Sequence, residues 1–125
     1  MNNLSENHRL GAEGEAAARQ YLTAKGYQIR HVNWRSHHLE LDIVAETPDE
    51  LVVIEVKTRR NQYFSHPADA VTDAKIRHIV TATQAYIYLY NIRKDVRFDV
   101  MALIPCPPEG FRIEHFENAF FSPVW

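Results

Sequence analysis

The sequence predicts an α/β fold in which a central mixed sheet of about five strands is flanked by helices. Two segments carry apolar residues at the three- and four-residue spacing of an amphipathic helix. Five shorter segments carry the apolar, β-branched composition of strands. Their order is helix, three strands, helix, two strands, and such mixing is typical of a sheet covered by helices.

Length and composition predict a single soluble domain over residues 1–125. The chain has 125 residues, of which 46% are hydrophobic and 24% charged, and no repeat or low-complexity linker divides it. The polar residues 1–9 are expected to be a flexible N-terminus, and residues 118–125 an aromatic C-terminal tail. The chain lacks a signal-peptide core and a bilayer-spanning run, and it has one cysteine, so we expect a cytoplasmic protein without membrane association.

The first half of the chain predicts one helix and three strands. The helical spacing runs from about Leu10 to Lys25, where the following Gly26 is a typical stop. Strand patterns follow at Tyr27–Arg35, Leu39–Glu46 and Leu51–Thr58. The second and third are joined by a short turn, which predicts an antiparallel hairpin.

The second half predicts a long helix and two further strands. The helical pattern covers about Ala68–Tyr90, and its apolar stripe includes Lys75. Strand patterns follow at Val96–Ile104 and Phe111–Phe116, separated by a loop.

Four polar residues on the predicted hairpin are the strongest functional signal. Side chains on a strand alternate between faces, so Glu40 and Asp42 share a face on one strand, and Glu55 and Lys57 share a face on the next. The short turn brings Asp42 close to Glu55. The intervening apolar residues are expected on the opposite face, in the core: Leu41, Ile43, Val52, Ile54 and Val56.

This pattern predicts a metal-dependent phosphodiesterase site. Carboxylates on adjacent central strands are costly to bury unless a cation compensates them. Mg²⁺ or Mn²⁺ fits, because Mg²⁺ needs one or two carboxylates and completes its shell with water and phosphate. Lys57 could orient the attacking water or stabilise the transition state. The structural alternative is a surface ion pair on a strand.

Several motifs along the chain resemble those of one bacterial family. They are Gly11-Ala12-Glu13-Gly14-Glu15, Glu40-Leu41-Asp42-Ile43-Val44, Val53-Ile54-Glu55-Val56-Lys57-Thr58-Arg59 and, later, Lys75. Together they resemble the YraN-type family of bacterial predicted endonucleases. That family is a branch of the PD-(D/E)XK nuclease superfamily related to archaeal Holliday-junction resolvases, and the resemblance covers about residues 11–100.

The resemblance implies a restriction-endonuclease-like core and a role for each matching residue. Asp42 matches the family's metal-binding Asp, while Glu55 and Lys57 match its E-x-K motif. Glu15 matches the first-helix Glu, and Glu40 matches the acidic residue before the Asp. The predicted metal set is therefore Asp42, Glu55, Glu40 and Glu15, and the kinship with resolvases implies a homodimer.

The sequence departs from the family pattern at two positions. Leu39 occupies a position where the family usually has Gly, and Leu41 occupies that of the superfamily's Pro. Neither change removes a ligand, but we expect Leu39 to affect the start of the strand and the shape of the cleft.

Four basic residues are predicted to contact nucleic acid, namely Lys75, Arg59, Arg60 and Arg77. Lys75 could instead extend its ammonium from the apolar face into water, and the arginines could serve solubility alone. The net charge of −2 argues against a broad phosphate-binding surface, although bound cations would offset the acidic cluster.

The histidines and the first two glycines do not form recognisable ligand-binding motifs. The adjacent His37 and His38 face opposite ways on a strand, and neither His66 nor His78 has a histidine partner one helical turn away, so no zinc site is predicted. Gly11 and Gly14 lack the strand and lysine of a nucleotide-binding loop and are better explained by close helix packing.

Three functions remain open on the sequence. The first is a metal-dependent endonuclease acting on DNA, with branched or damaged DNA as the candidate substrate. The second is a non-catalytic nucleic-acid-binding module on a nuclease fold. The third is an assembly protein whose acidic cleft only stabilises the fold. The intact set of Asp42, Glu55 and Lys57 favours the first.

Overall fold

A five-stranded mixed sheet lies between two helices, as the sequence predicts. The computed structural model describes residues 3–58, 71–108 and 110–122. The elements in chain order are α1 (Asn3–Ala24), β1 (Gln28–Ser36), β2 (Leu39–Glu46), β3 (Glu50–Thr58), α2 (Asp73–Tyr90), β4 (Asp95–Cys106) and β5 (Gly110–Phe120).

The strands lie side by side in the order in which they occur in the chain. β1, β2 and β3 form an antiparallel meander, β4 runs parallel to β3, and β5 returns antiparallel to β4. Parallel neighbours need a crossover connection, and α2 lies in that crossover. β3 is therefore the central strand, which explains the apolar run on both of its faces.

Several elements begin or end at residues other than those expected. α1 begins at Asn3, so most of the N-terminal segment expected to be flexible is helical. β4 continues to Cys106, and β5 continues to Phe120, which takes in the first residues of the expected tail. Pairing with a neighbouring strand extends these strands beyond the point where their own apolar pattern ends.

α2 begins later than its apolar pattern predicts. Its first residue is Asp73, and the hydroxyl of Thr72 caps it by accepting a hydrogen bond from the Lys75 backbone N–H over 3.2 Å. This cap sets the position of the first helical turn, which carries Lys75. The beginning expected at Ala68 falls within residues 59–70, outside the described part of the chain.

The sheet buries an apolar cluster on each face. The cluster under α1 consists of Ala18, Leu22, Ile43, Ala45, Val52, Ile54, Met101 and Leu103. The cluster under α2 consists of Leu41, Val44, Leu51, Val53, Val71, Ile79, Val80, Ala82, Tyr86, Phe98 and Val100. Each helix thus covers one face, and burial of these side chains is the main stabilising contribution.

Leu41 corrects one expectation. The alternation of side chains predicts it on the face of Ile43, but it packs at 1% exposure in the cluster under α2. The hairpin is irregular at this point, because Asn33, which lies across from Asp42, has a φ of 53°. Leu41 and its partner Trp34 both pack in the cluster under α2, whereas Ile43 packs under α1.

A buried charged network on β4 and β5 has no counterpart in the sequence predictions. The guanidinium of Arg97 donates to both carboxylate oxygens of Asp99 at 3.0 and 2.9 Å. His115 Nε2 lies 2.7 Å from the same carboxylate, whose exposure is 0%. Burial alone would raise the pKa of Asp99, but the hydrogen bonds from His115 and Arg97 outweigh burial and lower that pKa.

Neither described helix combines the length and the hydropathy needed to cross a lipid bilayer.

Candidate active site

Asp42 lies where β2 and β3 separate. The last paired residues of the two strands are Ile43 and Ile54. One residue further, Asp42 Oδ2 accepts a hydrogen bond from the backbone N–H of Val56 over 2.9 Å. A side-chain carboxylate therefore replaces a strand carbonyl at this point, and it is held facing β3.

Glu55 lies beside Asp42 in an almost dry environment. Its side chain is 5% exposed, and its Oε2 has no hydrogen-bond partner among the described residues. The pKa of Glu55 is raised from 4.5 to about 8, first by burial and then by a shared hydrogen bond with Asp42 and the negative charge of Asp42. The negative charge of Asp42 thus disfavours a negative charge on Glu55, because two adjacent negative charges in a buried site repel each other.

Two lysines from different elements converge on Glu55. Lys75 Nζ, from the first turn of α2, lies 3.5 Å from Glu55 Oε2, and Lys57 Nζ, from β3, lies 4.0 Å from the same oxygen. Both ammonium groups lower the Glu55 pKa, but burial and Asp42 outweigh them. Both lysine side chains are partly exposed, at 40% and 27%, so they extend from the buried carboxylate towards solvent.

Glu15 reaches the same region from the α1 side of the sheet. A cavity of about 150 Å³ is lined by both Glu15 and Asp42, together with Gly11, Asn33, Ile43, Val56 and Thr58. Glu15 Oε2 accepts a hydrogen bond from Asn33 Nδ2 over 2.6 Å. The structure therefore brings Glu15 to Asp42 through a small cavity, while Glu55 and the lysines approach from the other side.

Gly14 explains how α1 comes so close to the end of β3. A Cβ atom at this buried position would lie 2.8 Å from Thr58 Oγ1. A side chain at Gly14 would therefore require Thr58 or α1 to shift. This confirms close helix packing as the role of Gly14, but the same expectation for Gly11 is wrong, because nothing lies within 4 Å of a Cβ atom built there.

The remaining predicted site residues lie elsewhere or outside the described residues. Glu40 forms an ion pair with Arg35 at 3.5 Å and lines a separate surface cavity with His37 and His38. Arg77 lines another cavity with Asp73, Ile76 and Phe121. Arg59 and Arg60 lie outside the part of the chain that the structure describes.

Sequence reasoning missed Asn33. It lies on β1 of the β1–β2 hairpin. The paired residues on either side of it place Asn33 across from Asp42. Its φ of 53° is in the left-handed region, which asparagine tolerates better than most residues. A polar residue in a strand pattern was the only available signal, and it cannot show which helix the side chain will meet.

The carboxylate pair has the donor chemistry of a divalent-cation site. In the described segments, no group of three or more His, Cys, Asp or Glu side chains is arranged to hold a metal ion. Asp42 and Glu55 are two oxygen donors, and one donor atom, Glu55 Oε2, is buried without a hydrogen bond. Two carboxylates suffice for Mg²⁺, which keeps several waters, so the residues present fit such an ion.

Comparison with known proteins places this chain in a bacterial family. A model described as uncharacterised protein family UPF0102 matches residues 14–103. A UPF0102 protein of Phocaeicola vulgatus is 50% identical over 122 residues, covering 98% of this chain and 100% of the relative. One from Parabacteroides distasonis is 48% identical over 120 residues (96% and 98%), and one from Flavobacterium psychrophilum is 39% identical over 118 (94% and 98%). The chain belongs to the UPF0102 family, which is the YraN-type family of the sequence resemblance.

Proposed function

We propose that this protein is a metal-dependent endonuclease of the PD-(D/E)XK superfamily that hydrolyses phosphodiester bonds of DNA, with Mg²⁺ or Mn²⁺ as cofactor. The observation that carries the proposal is the pairing of a buried Glu55 with Asp42, with two lysine ammonium groups within 4.0 Å of Glu55. Two adjacent carboxylates repel each other when no metal ion is bound. A bound metal ion makes their proximity favourable.

The residues divide the work of hydrolysis between two sides of the site. Asp42 and Glu55 would hold the cation, which when bound supplies Lewis-acid stabilisation of phosphate charge and a more acidic water. Lys57, on the same strand face as Glu55, orients the attacking water and stabilises negative charge that develops on the phosphate. Glu15 lies on the other side of Asp42, in the cavity that both residues line.

Lys75 is proposed to contact the phosphate next to the scissile bond. It is partly exposed and lies close to Glu55, so its ammonium can turn from this carboxylate to a phosphate when a cation neutralises Glu55. Arg77, two residues after Lys75 on α2, and Arg59 and Arg60 would contact the backbone at more distant phosphates. These contacts position the nucleic acid without reading its sequence.

One observation favours the alternative of a non-catalytic nucleic-acid-binding module. The ammonium of Lys75 lies 3.5 Å from Glu55 Oε2 and compensates the charge of this carboxylate without a metal ion. In such a protein the acidic pair would be a structural element, and Lys75 would serve only the affinity for phosphate.

Cleavage of labelled DNA separates the two functions. Purified protein is incubated at low salt with linear, flapped and four-way-junction DNA, in Mg²⁺, Mn²⁺ or EDTA, beside the Lys57→Ala variant. We expect metal-dependent cutting by the wild type and none by the variant, with branched DNA cut faster than linear DNA. Binding that survives EDTA, with no cutting under either metal, would instead support the binding module.

A further inference from the structure

Asn33, on β1, and Glu15, on α1, form a short polar contact between these two elements. The Asn33 Nδ2 atom lies 2.6 Å from Glu15 Oε2. This amide donates to a carboxylate at the surface, where such a bond adds little to stability because water can replace it. Its main consequence is geometric, since it selects one orientation of an otherwise mobile glutamate side chain.

The backbone at Asn33 directs its amide towards α1. The residue adopts a φ of 53° inside β1, a conformation that costs about 1 kcal/mol for a residue with a Cβ atom. In an extended strand the side chain would follow the ordinary alternation. The left-handed conformation therefore aims the amide at Glu15 in a way that a regular strand would not.

The cavity beyond this bond has the size and lining of a hydrated site. Its volume of about 150 Å³ corresponds to roughly five waters of the liquid. Its polar lining includes the carboxylates of Glu15 and Asp42, and Asp42 is also in contact with Glu55 on its other side. Because Glu15 and Asp42 line the same cavity, a carboxylate held there is placed to accept a hydrogen bond from a water bound next to Asp42.

We infer that Asn33 is a positioning residue that holds Glu15 as the acceptor for a water beside Asp42, and so sets the cation affinity and the rate of the reaction. The inference rests on the proposed nuclease function. Asn33 acts through Glu15 and touches neither substrate nor cation. Residues one step removed from metal ligands commonly change metal affinity or activity by 10- to 100-fold when they are replaced.

The test uses two substitutions that keep the unusual backbone. Asn33→Gly removes the amide but adopts a positive φ more easily, and Asn33→Asp replaces the donor with a charge that repels Glu15. Asn91→Gly is the matched control, because Asn91 has a φ of 54° at the end of α2. For each protein, kcat and KM on cleaved DNA, Mn²⁺ affinity by calorimetry and the melting temperature are measured.

We expect Asn33→Gly to lower kcat or Mn²⁺ affinity about 10- to 100-fold, with KM for DNA and the melting temperature unchanged. Asn33→Asp should lower kcat or Mn²⁺ affinity further than Asn33→Gly does, and Asn91→Gly should change neither. Adding Glu15→Gln to Asn33→Gly should cause no further loss beyond that of Glu15→Gln alone. If kcat and Mn²⁺ affinity are both the same in Asn33→Gly as in an active wild type, the positioning role is refuted and the nuclease function still stands. A wild type that neither cuts nor binds Mn²⁺ would overturn both.

Discussion

Val56 donates its backbone N–H to Asp42 Oδ2 over 2.9 Å, at the point where β2 and β3 stop pairing. The carboxylate satisfies a strand amide that the separating partner strand no longer reaches. The same bond fixes Asp42 against Glu55, whose pKa is raised to about 8. The architecture of the sheet therefore creates the acidic pair.

Stability in the absence of metal should fall as pH rises. The folded pKa of Glu55 is about 8 and its ordinary value 4.5, so the folded state binds a proton that the unfolded state has lost. Between these values the free energy of unfolding decreases with pH, by at most about 1.4 kcal/mol per unit. Urea unfolding in EDTA at several pH values measures this slope. Glu55→Gln should flatten it and Asp49→Asn, in an exposed turn, should not; identical slopes in all three proteins would contradict the Glu55 pKa.

Mn²⁺ should stabilise the folded protein. A ligand that binds only the folded state adds about 2.7 kcal/mol at a concentration one hundred times its Kd. The melting temperature should therefore rise with Mn²⁺ and return to its starting value after chelation. Asp42→Asn should remove the response, because it removes one of two charged donors. A wild-type melting temperature that neither Mn²⁺ nor Mg²⁺ changes would count against the metal site.

Lys75→Ala should lower the cleavage rate about a hundredfold, because a substrate that loses its contact at the neighbouring phosphate is displaced from the reacting geometry. Its ammonium lies 3.5 Å from Glu55 Oε2, whereas Arg112, on the far edge strand, is exposed and pairs only loosely with Glu114 at 3.9 Å. Arg112→Ala is therefore the control for the loss of a surface positive charge. Single-turnover rates at saturating enzyme provide the comparison, and equal rates for the two variants would exclude a specific role for Lys75.

Two glycines on α1 should respond to alanine in opposite directions. At Gly14 the new Cβ would meet Thr58 Oγ1 at 2.8 Å, so Gly14→Ala should destabilise the protein by about 1–3 kcal/mol. At Gly11 nothing lies within 4 Å, and Gly11→Ala should stabilise it by up to about 1 kcal/mol through helix propensity. Chemical denaturation measures the free energy of unfolding of both variants. If both substitutions changed it in the same direction, the close approach of α1 to β3 would be contradicted.

Asp99→Asn should be among the most destabilising single substitutions. It removes the fully buried counter-charge of Arg97, which is 8% exposed and keeps the more exposed Glu50 and Glu117 at 3.0 and 3.1 Å, so we expect the low end of the cost of breaking a buried pair, about 3 kcal/mol. Because the pKa of Asp99 is lowered in the folded state, the stability that this carboxylate contributes is lost as pH falls through its folded pKa. An Arg97→Met, Asp99→Leu double variant, measured by urea unfolding, should be more stable than Asp99→Asn. A stability loss below 1 kcal/mol in Asp99→Asn would mean that the network carries little energy.

The sequence by itself determined the order of the elements and the heart of the candidate site. The short turn pairs β2 with β3 as far as Ile43 and Ile54, which brings the next residue, Asp42, beside Glu55. Period-two alternation along β3 places Lys57 on the same face as Glu55. The apolar pattern around Lys75 also predicts a helix face that packs on the sheet. Its apolar neighbours Val71 and Ile79 are buried there. These are local patterns, and local geometry fixes them.

Only the tertiary structure decided which distant side chains join that pair. Glu15 reaches Asp42 because Gly14 lets α1 approach Thr58, and Asn33 holds Glu15 because of a backbone turn within β1. Glu40, two residues from Asp42, instead pairs with Arg35. The buried network of Arg97 and Asp99 was equally invisible. The physical reason is that periodicity specifies the face of an element but not the depth and angle at which two elements pack, and these set every contact between them.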